Sequence, residues 1–309
     1  MRRFCLFLCW ALVWCLVGCG TEQPSPVPEA VTTVATSVSE TTSTATAITT
    51  TTTATTMRTT STTERKTTVT TTTTMASTTA TTVVREVTVT IPEGYTFMQI
   101  ARLLEQKGVC TAEEFYNECQ AYTPQSFTIP ISEDRCFRME GYLFPDTYRF
   151  YINDNPRNVL IKMLNNFRNK VGDISDETLI LASIIEREAR SEKHMKLVSS
   201  VFHNRLNNRK EFLYLNADPT RDYVNQYITG NPLVSDQSKY APLYNTCGKR
   251  IGLPVGPICC PGLRAIQAAL DPTESPYYYF FYGKDYENHY SVTLEEHEQK
   301  MAEIGVCLE

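Results

Sequence analysis

No Cys-x-x-Cys pair occurs in this 309-residue chain, and none of its four histidines stands at finger-like spacing from a cysteine, so a structural zinc site is not expected. There is no basic run and no basic patch interleaved with aromatics. The 29 Lys and Arg are outnumbered by 34 Asp and Glu, for a formal net charge of −5, and nucleic acid is not an expected partner. No apolar run reaches the ~20 residues that a membrane-crossing helix needs; Phe4 to Val17 is about fifteen. Nothing in the pattern asks for a metal or a cofactor, and none is expected.

What is present at the N-terminus reads as an address. Arg2 and Arg3 precede the uncharged apolar run, in the manner of a secretory signal. The run closes on Leu16-Val17-Gly18-Cys19, which resembles the bacterial lipobox and implies a lipoprotein signal peptide over 1–18 with lipidation of Cys19. An uncleaved anchor, as a single N-terminal transmembrane helix, and a chance cysteine in a leader that also holds Cys5, Cys9 and Cys15 stay open beside it. Each version leaves the body of the protein on the extracytoplasmic face of a cell membrane. Residues 19–83 follow as a Thr-rich stretch with almost no aromatics and no hydrophobic period. Such a composition cannot bury enough apolar surface to offset its ordering entropy, so a disordered tether is expected. It would average roughly 45 Å end to end and reach about 200 Å when stretched.

The remaining residues suffice for one domain with a sizeable core or for two smaller ones. Val87 to Ile91 alternates as a strand, Pro92-Glu93-Gly94 turns the chain, and Phe97 to Leu104 reads as an amphipathic helix ended by Gly108. A second helix is expected over Ala112 to Cys119. This β-α-α pattern over 84–135 resembles a small LysM-like module, with the alternative of a generic α+β cap. A boundary near Arg135 would separate it from a mixed α+β domain over 136–309. Beyond it, Glu140 to Tyr148 packs aromatics, Gly141 and Pro145 around two carboxylates, as a loop lining a cleft would. Asp218-Pro219-Thr220 reads as a turn, and Gly252 to Pro257 as a rigid loop. Tyr277 to Tyr282 and Tyr290 to Val292 read as aromatic strands. Seven cysteines follow the leader, from Cys110 to Cys307, and their odd number leaves at least one without an intramolecular partner. Adjacent Cys259 and Cys260 are not expected to bond to each other.

The segment from Leu181 to Glu188 carries the strongest chemical signal. Leu179, Ala182, Ser183 and Glu186 share one face of an almost wholly apolar helix expected over Asp176 to Arg190, with Ser175 or Asp176 as its cap. A carboxylate at the end of such a run is costly to ionise, and burial of this kind is how proteins make a general acid near neutral pH. A Glu leaving the core and satisfied by an Arg or a backbone N–H is the bland alternative.

Five ordered blocks then carry a family resemblance. They are Glu140 to Tyr148, Ala182 to Glu188, Val201 to Leu206, Asp218 to Thr220, and Tyr244-Asn245-Thr246 through Gly252 to Gly262, with a tail from Tyr279 to His289 and His297. Together they resemble the endolytic murein transglycosylases, the MltG or YceG-like family, over about residues 87–300. Asn216-Ala217, Val255 and Cys260 depart from the family pattern. The resemblance implies that Glu186 is the catalytic residue of a lytic transglycosylase that cleaves MurNAc–GlcNAc bonds in peptidoglycan and leaves 1,6-anhydro ends. Glu140, Tyr142, Asp146, Asp218, Thr220 and Asn245 are then candidates to hold the glycan, against turn or cap roles. Glu188 is expected to be an ion-pair residue on the far side of the helix, and His289 and His297 to be structural. Work beside peptidoglycan synthases, terminating or releasing nascent strands, is a further implication. A surface lipoprotein that binds wall glycan without cutting it is the competing reading, and a hydrolytic glycosidase a third.

Overall fold

Strand β1 (Glu86–Thr90) pairs antiparallel with β2 (Thr147–Tyr151), Val89 facing Tyr148 and Val87 facing Phe150. Alternation sends Val89, Tyr148 and Phe150 into the core and leaves Thr88 and Arg149 outside. The computed structural model describes residues 85–124, 129–130 and 132–307. The leader, Cys19 and the Thr-rich stretch therefore lie outside the described residues. Between the two strands run α1 (Phe97–Gln106) and α2 (Ala112–Ala121), each opened by a capping box, Thr96 with Gln99 and Thr111 with Glu114. Each box satisfies two backbone donors that the first turn leaves unpaired.

The expected boundary near residue 135 cuts through this unit. Strand β2 comes from beyond it, and so does Phe137, which stacks on Phe97 at 5.3 Å while Phe97 stacks on Phe115 at 5.7 Å. A unit ended at residue 135 would keep a lone strand with an open ladder and lose a ring from its core. The described residues all fall in one compact unit.

The rest is mostly helical. Helices α3 (Pro156–Val171), α4 (Asp176–Glu188) and α5 (Glu192–Asn207) follow in succession. Then come α6 (Asp218–Tyr223), continued by a π turn over Val224–Ile228, then α7 (Gln237–Tyr244) and α8 (Leu263–Leu270). A hairpin of β3 (Tyr279–Tyr282) and β4 (Asn288–Ser291) and a final helix α9 (Leu294–Ile304) close the described fold. The architecture is α+β, with helices around two small antiparallel sheets.

Helix α4 is the centre of the molecule. Every residue from Leu179 to Ile185 is buried, so the helix is enclosed on all sides, chiefly by α8 and α5. Ser175 caps its N-terminus by accepting from Thr178 N, and buried Arg135 ties that end to the 252–257 loop by pairing with Asp176 and donating to Val255 O at 2.8 Å. On α5, Val198, Val201 and Phe202 are buried and Leu206 partly so, as its stripe predicts. Asp218-Pro219-Thr220 is not a free turn: it opens α6, because the fixed φ of Pro219 suits a first helical turn. The seven cysteines of the described residues are all free thiols. Cys259 and Cys260 have separate partners, Ser183 O at 3.2 Å and the Glu140 carboxyl at 3.8 Å.

Candidate active site

Glu186 stands in the last turn of α4, the first residue after Leu179 to be only partly buried. Two loops wall it. The 92–95 turn and the 258–262 loop are joined by a pair of backbone hydrogen bonds, Gly94 N to Cys260 O at 2.9 Å and Cys260 N to Tyr95 O at 2.8 Å. Ser183, one turn before Glu186, fixes the second loop to the helix: its hydroxyl donates to Ile180 O at 2.7 Å and accepts from Ile258 N at 3.0 Å. That placement lets Gly262 N donate to Glu186 Oε2 at 3.0 Å. On the other side the 92–95 turn lies against the side chain of Glu186. Gly94 holds φ +79°, which favours glycine, and a Cβ there would sit 3.5 Å from Glu186 Cγ.

Burial pushes the Glu186 carboxyl up to about 7, against the opposing pull of the Gly262 hydrogen bond. The negative charge of Glu93 adds to the rise, and Arg264 and Arg187 work against it. A group that titrates near neutrality has both protonation states populated, so it can give a proton and take one back. The bland alternative is met in part: a backbone N–H does hold one oxygen, yet among the described residues no cation is hydrogen-bonded to this carboxyl in the manner of a closed ion pair.

The other expected site residues divide into two groups. Glu140, Tyr142 and Thr220 are buried, and the fold itself uses them. Glu140 accepts from Phe97 N at 2.9 and 3.0 Å and from Tyr223 OH at 2.9 Å. Tyr142 donates to Asp176 at 2.9 Å, and Thr220 donates to Ala217 O at 2.6 Å while meeting Thr246 at 2.9 Å. The polar atoms of all three are engaged in the interior, where they brace the fold around the site. The segment from Glu140 is thus not an open cleft wall at its start. Asp146, Asp218 and Asn245 are more open. Asp146 accepts from Asn166 at 2.9 Å, which with the Thr147 amide holds its carboxyl below the usual range. Asp218 pairs with Arg221 at 3.0 Å, and Asn245 accepts from Cys247 N at 2.9 Å. These contacts are of the turn and cap kind.

Glu188 acts electrostatically on Arg205 and Cys247. His289 pairs with Asp285 at 2.8 Å and His297 stacks on Tyr279 at 5.3 Å, both structural arrangements. In the Val201 to Leu206 block, Asn204 and Arg205 donate to Ser275 O, Tyr277 O and Tyr278 O and so fasten the approach to β3 onto α5, while Arg205 also holds Leu215 O ahead of α6. A separate depression at the α1–α2 junction, lined by Glu105, Cys110 and Asp154, includes none of the residues around Glu186.

Sequence reasoning missed Glu93, Gly262 and Arg264. Glu93 lay in a turn between a strand and a helix, and nothing local ties it to residues some 170 positions later. The signal within reach was the Pro261-Gly262 dipeptide just before an apolar helix, which marks a helix start but not its neighbour. Cys260 departs from the family pattern only in its side chain; the backbone bonds that join the two loops do not depend on it.

A model of the YceG-like family matches residues 30–303, and the chain belongs to that family. It is 30% identical over 250 residues to an endolytic murein transglycosylase of Streptococcus pneumoniae serotype 2, covering 70% of this chain and 44% of that protein. It is 32% identical over 232 residues to an endolytic murein transglycosylase of Bacillus subtilis, covering 68% of this chain and 62% of that one. The matches thus span roughly half the length of these relatives. A crystal structure of a YceG-like protein from Listeria monocytogenes superposes with a TM-score of 0.56 at 28% identity, covering 69% of this chain and 75% of that one.

Proposed function

We propose that this protein is an endolytic lytic transglycosylase that cuts MurNAc–GlcNAc bonds within peptidoglycan strands and leaves 1,6-anhydro-MurNAc ends. The observation that carries the reading is Glu186: a part-buried carboxyl, raised to about 7 and held through one oxygen by Gly262 N, at the end of the most enclosed helix of the fold. Membership in a family whose curated relatives are named for this activity supports it.

In the mechanism, protonated Glu186 gives its proton to the bridging oxygen as the C1–O bond breaks and an oxocarbenium-like centre develops. The C6 hydroxyl of the same MurNAc then bonds to C1, and its proton passes to the Glu186 carboxylate. No water is consumed and no protein nucleophile is needed, so one carboxyl serves as acid and then as base. A binding protein has no use for a carboxyl poised in this way, which weighs against the non-catalytic reading.

Asp146, Asp218 and Asn245 are the expected residues still open enough to meet the glycan. The β1–α1–α2 unit, with β2 added, is read as the LysM-like grip on the strand. The lipobox pattern and Thr-rich stretch support lipidation at Cys19 and a tether from the membrane into the wall, where the enzyme would terminate or release strands beside peptidoglycan synthases. A digest of purified glycan strands, weighed by mass spectrometry, tests the central reading. Ends lighter than hydrolysed ends by one water are expected. Hydrolysed ends alone would make the protein a glycosidase, and uncut strands a binding protein.

A further inference from the structure

Two carboxylates converge on the backbone of one glycine. The N–H of Gly262 is held by Glu186 Oε2 at 3.0 Å. The place where a Cβ of residue 262 would stand is filled by Glu93, whose Oε1 lies 2.0 Å from that position and whose Cδ lies 2.2 Å from it. Gly262 has φ −79°, open to any residue, and the three nearest atoms a Cβ would meet all belong to the flexible end of Glu93, which would have to move aside. Arg264, in the first turn of α8, holds Glu93 there: its guanidinium bonds Glu93 Oε2 at 3.0 Å and Arg190 O at 3.4 Å, just past the end of α4. One arginine thus joins the 92–95 turn, the end of α4 and the start of α8 around Glu186. Both partners are about half exposed, and a pair of that kind contributes little to stability.

We propose that the Glu93–Arg264 pair is a non-reacting arm of the site, which sets the proton occupancy and aim of Glu186. The proposal rests on the reading of Glu186 as the proton donor. Glu93 is a positioning residue: it touches neither proton nor leaving group, and acts through Glu186. Its negative charge disfavours ionisation of Glu186 before the bond breaks. After the proton has left, the same repulsion makes the Glu186 carboxylate a better acceptor for the proton of the C6 hydroxyl. Arg264 limits the effect and keeps Glu93 over Gly262. The charged and titratable groups that act on Glu186 are Glu93 from the turn, Arg264 from α8 and Arg187 from its own helix, with the thiol of Cys259 nearby in the loop.

The test is the pH profile of kcat/KM on purified glycan strands, with products weighed and folding checked by thermal unfolding. Glu93→Gln should move the alkaline limb to lower pH by about 0.5–1 unit, and Arg264→Gln should move it to higher pH by a similar amount. Arg264→Lys keeps the charge and should restore most of the wild-type limb. Gly262→Ala, whose Cβ must displace Glu93, should act like Glu93→Gln, and should add little in a Glu93→Ala background. Limbs that stay still, or that move the same way in the Glu93 and Arg264 variants, would overturn the proposal. So would fully additive losses for Gly262→Ala and Glu93→Ala. Glu186→Gln, run beside them, separates the two ideas: if it remains active the function reading fails, whereas if it is dead and the limbs do not move, only the role of the pair fails.

Discussion

Glu140 and Glu186 reach the same loop two residues apart, Glu140 at the thiol of Cys260 and Glu186 at the amide of Gly262. Burial drives both well above the usual carboxylate range, Glu140 to about 8 and Glu186 to about 7. By shift alone Glu140 is the stronger candidate for an acid. Its surroundings say otherwise. Glu140 is 1% exposed, and both its oxygens are engaged by the first amide of α1, the hydroxyl of Tyr223 and the thiol of Cys260. It joins the start of α1, the end of α6 and the 258–262 loop. Glu186 has one backbone donor and an open side. The lesson is that a raised carboxyl becomes a reagent only where a lone pair and a path to solvent remain; elsewhere the same physics makes a buried cross-link.

That contrast can be broken by mutation. The largest stability loss is expected from Glu140→Ala, which strips partners from Phe97 N and Tyr223 OH and opens a hole: about 2–4 kcal/mol in urea unfolding. Glu140→Gln, which mimics the neutral acid, should lose far less. Next comes the pH dependence. Both folded carboxyls sit above their unfolded value, so the fold binds more protons than the unfolded chain between about 4.5 and 8. Their contribution is fully present below about 4.5 and is lost as pH rises through about 7 and then 8. Glu140→Gln should flatten the upper part of that decline, and a decline of unchanged slope would show that Glu140 is already ionised in the fold. Gly94→Ala should cost about 1 kcal/mol, because alanine must be held at φ +79°. Smallest is Glu188→Gln, on the Arg205 side of the same helix. It should change stability by no more than ~1 kcal/mol and leave turnover within about threefold.

Much of this was legible in the sequence because it is local. The apolar run from Leu179 to Ile185 located α4, with Ser175 or Asp176 as its cap and Ser175 taking the place, and the same run singled out Glu186 as a carboxylate in an unfavourable place. The stripes of α1 and α5 and the alternation of β1 read correctly for the same reason. What stayed hidden is pairwise and distant. Strand β1 needs β2, some sixty residues later, and no turn signal announces it. Glu140 and Thr220 sit in blocks rich in functional-looking residues, yet whether a polar side chain faces a sugar or a buried amide depends on Tyr223 and Thr246, which periodicity cannot bring near. Glu93 was hidden for the converse reason: a charged residue in a turn looks solvated until Gly262 is laid beneath it.

The central claim is that of these two raised carboxyls only Glu186 handles the proton, and the most direct test compares Glu186→Gln with Glu140→Gln on the same purified glycan strands. The rate of 1,6-anhydro end formation should fall by about 10³–10⁴-fold for Glu186→Gln, with melting and strand binding retained, because a positioned acid that also serves as base is removed. Glu140→Gln should keep most of the rate. Near wild-type formation of anhydro ends by Glu186→Gln, or a collapse confined to Glu140→Gln, would contradict the account.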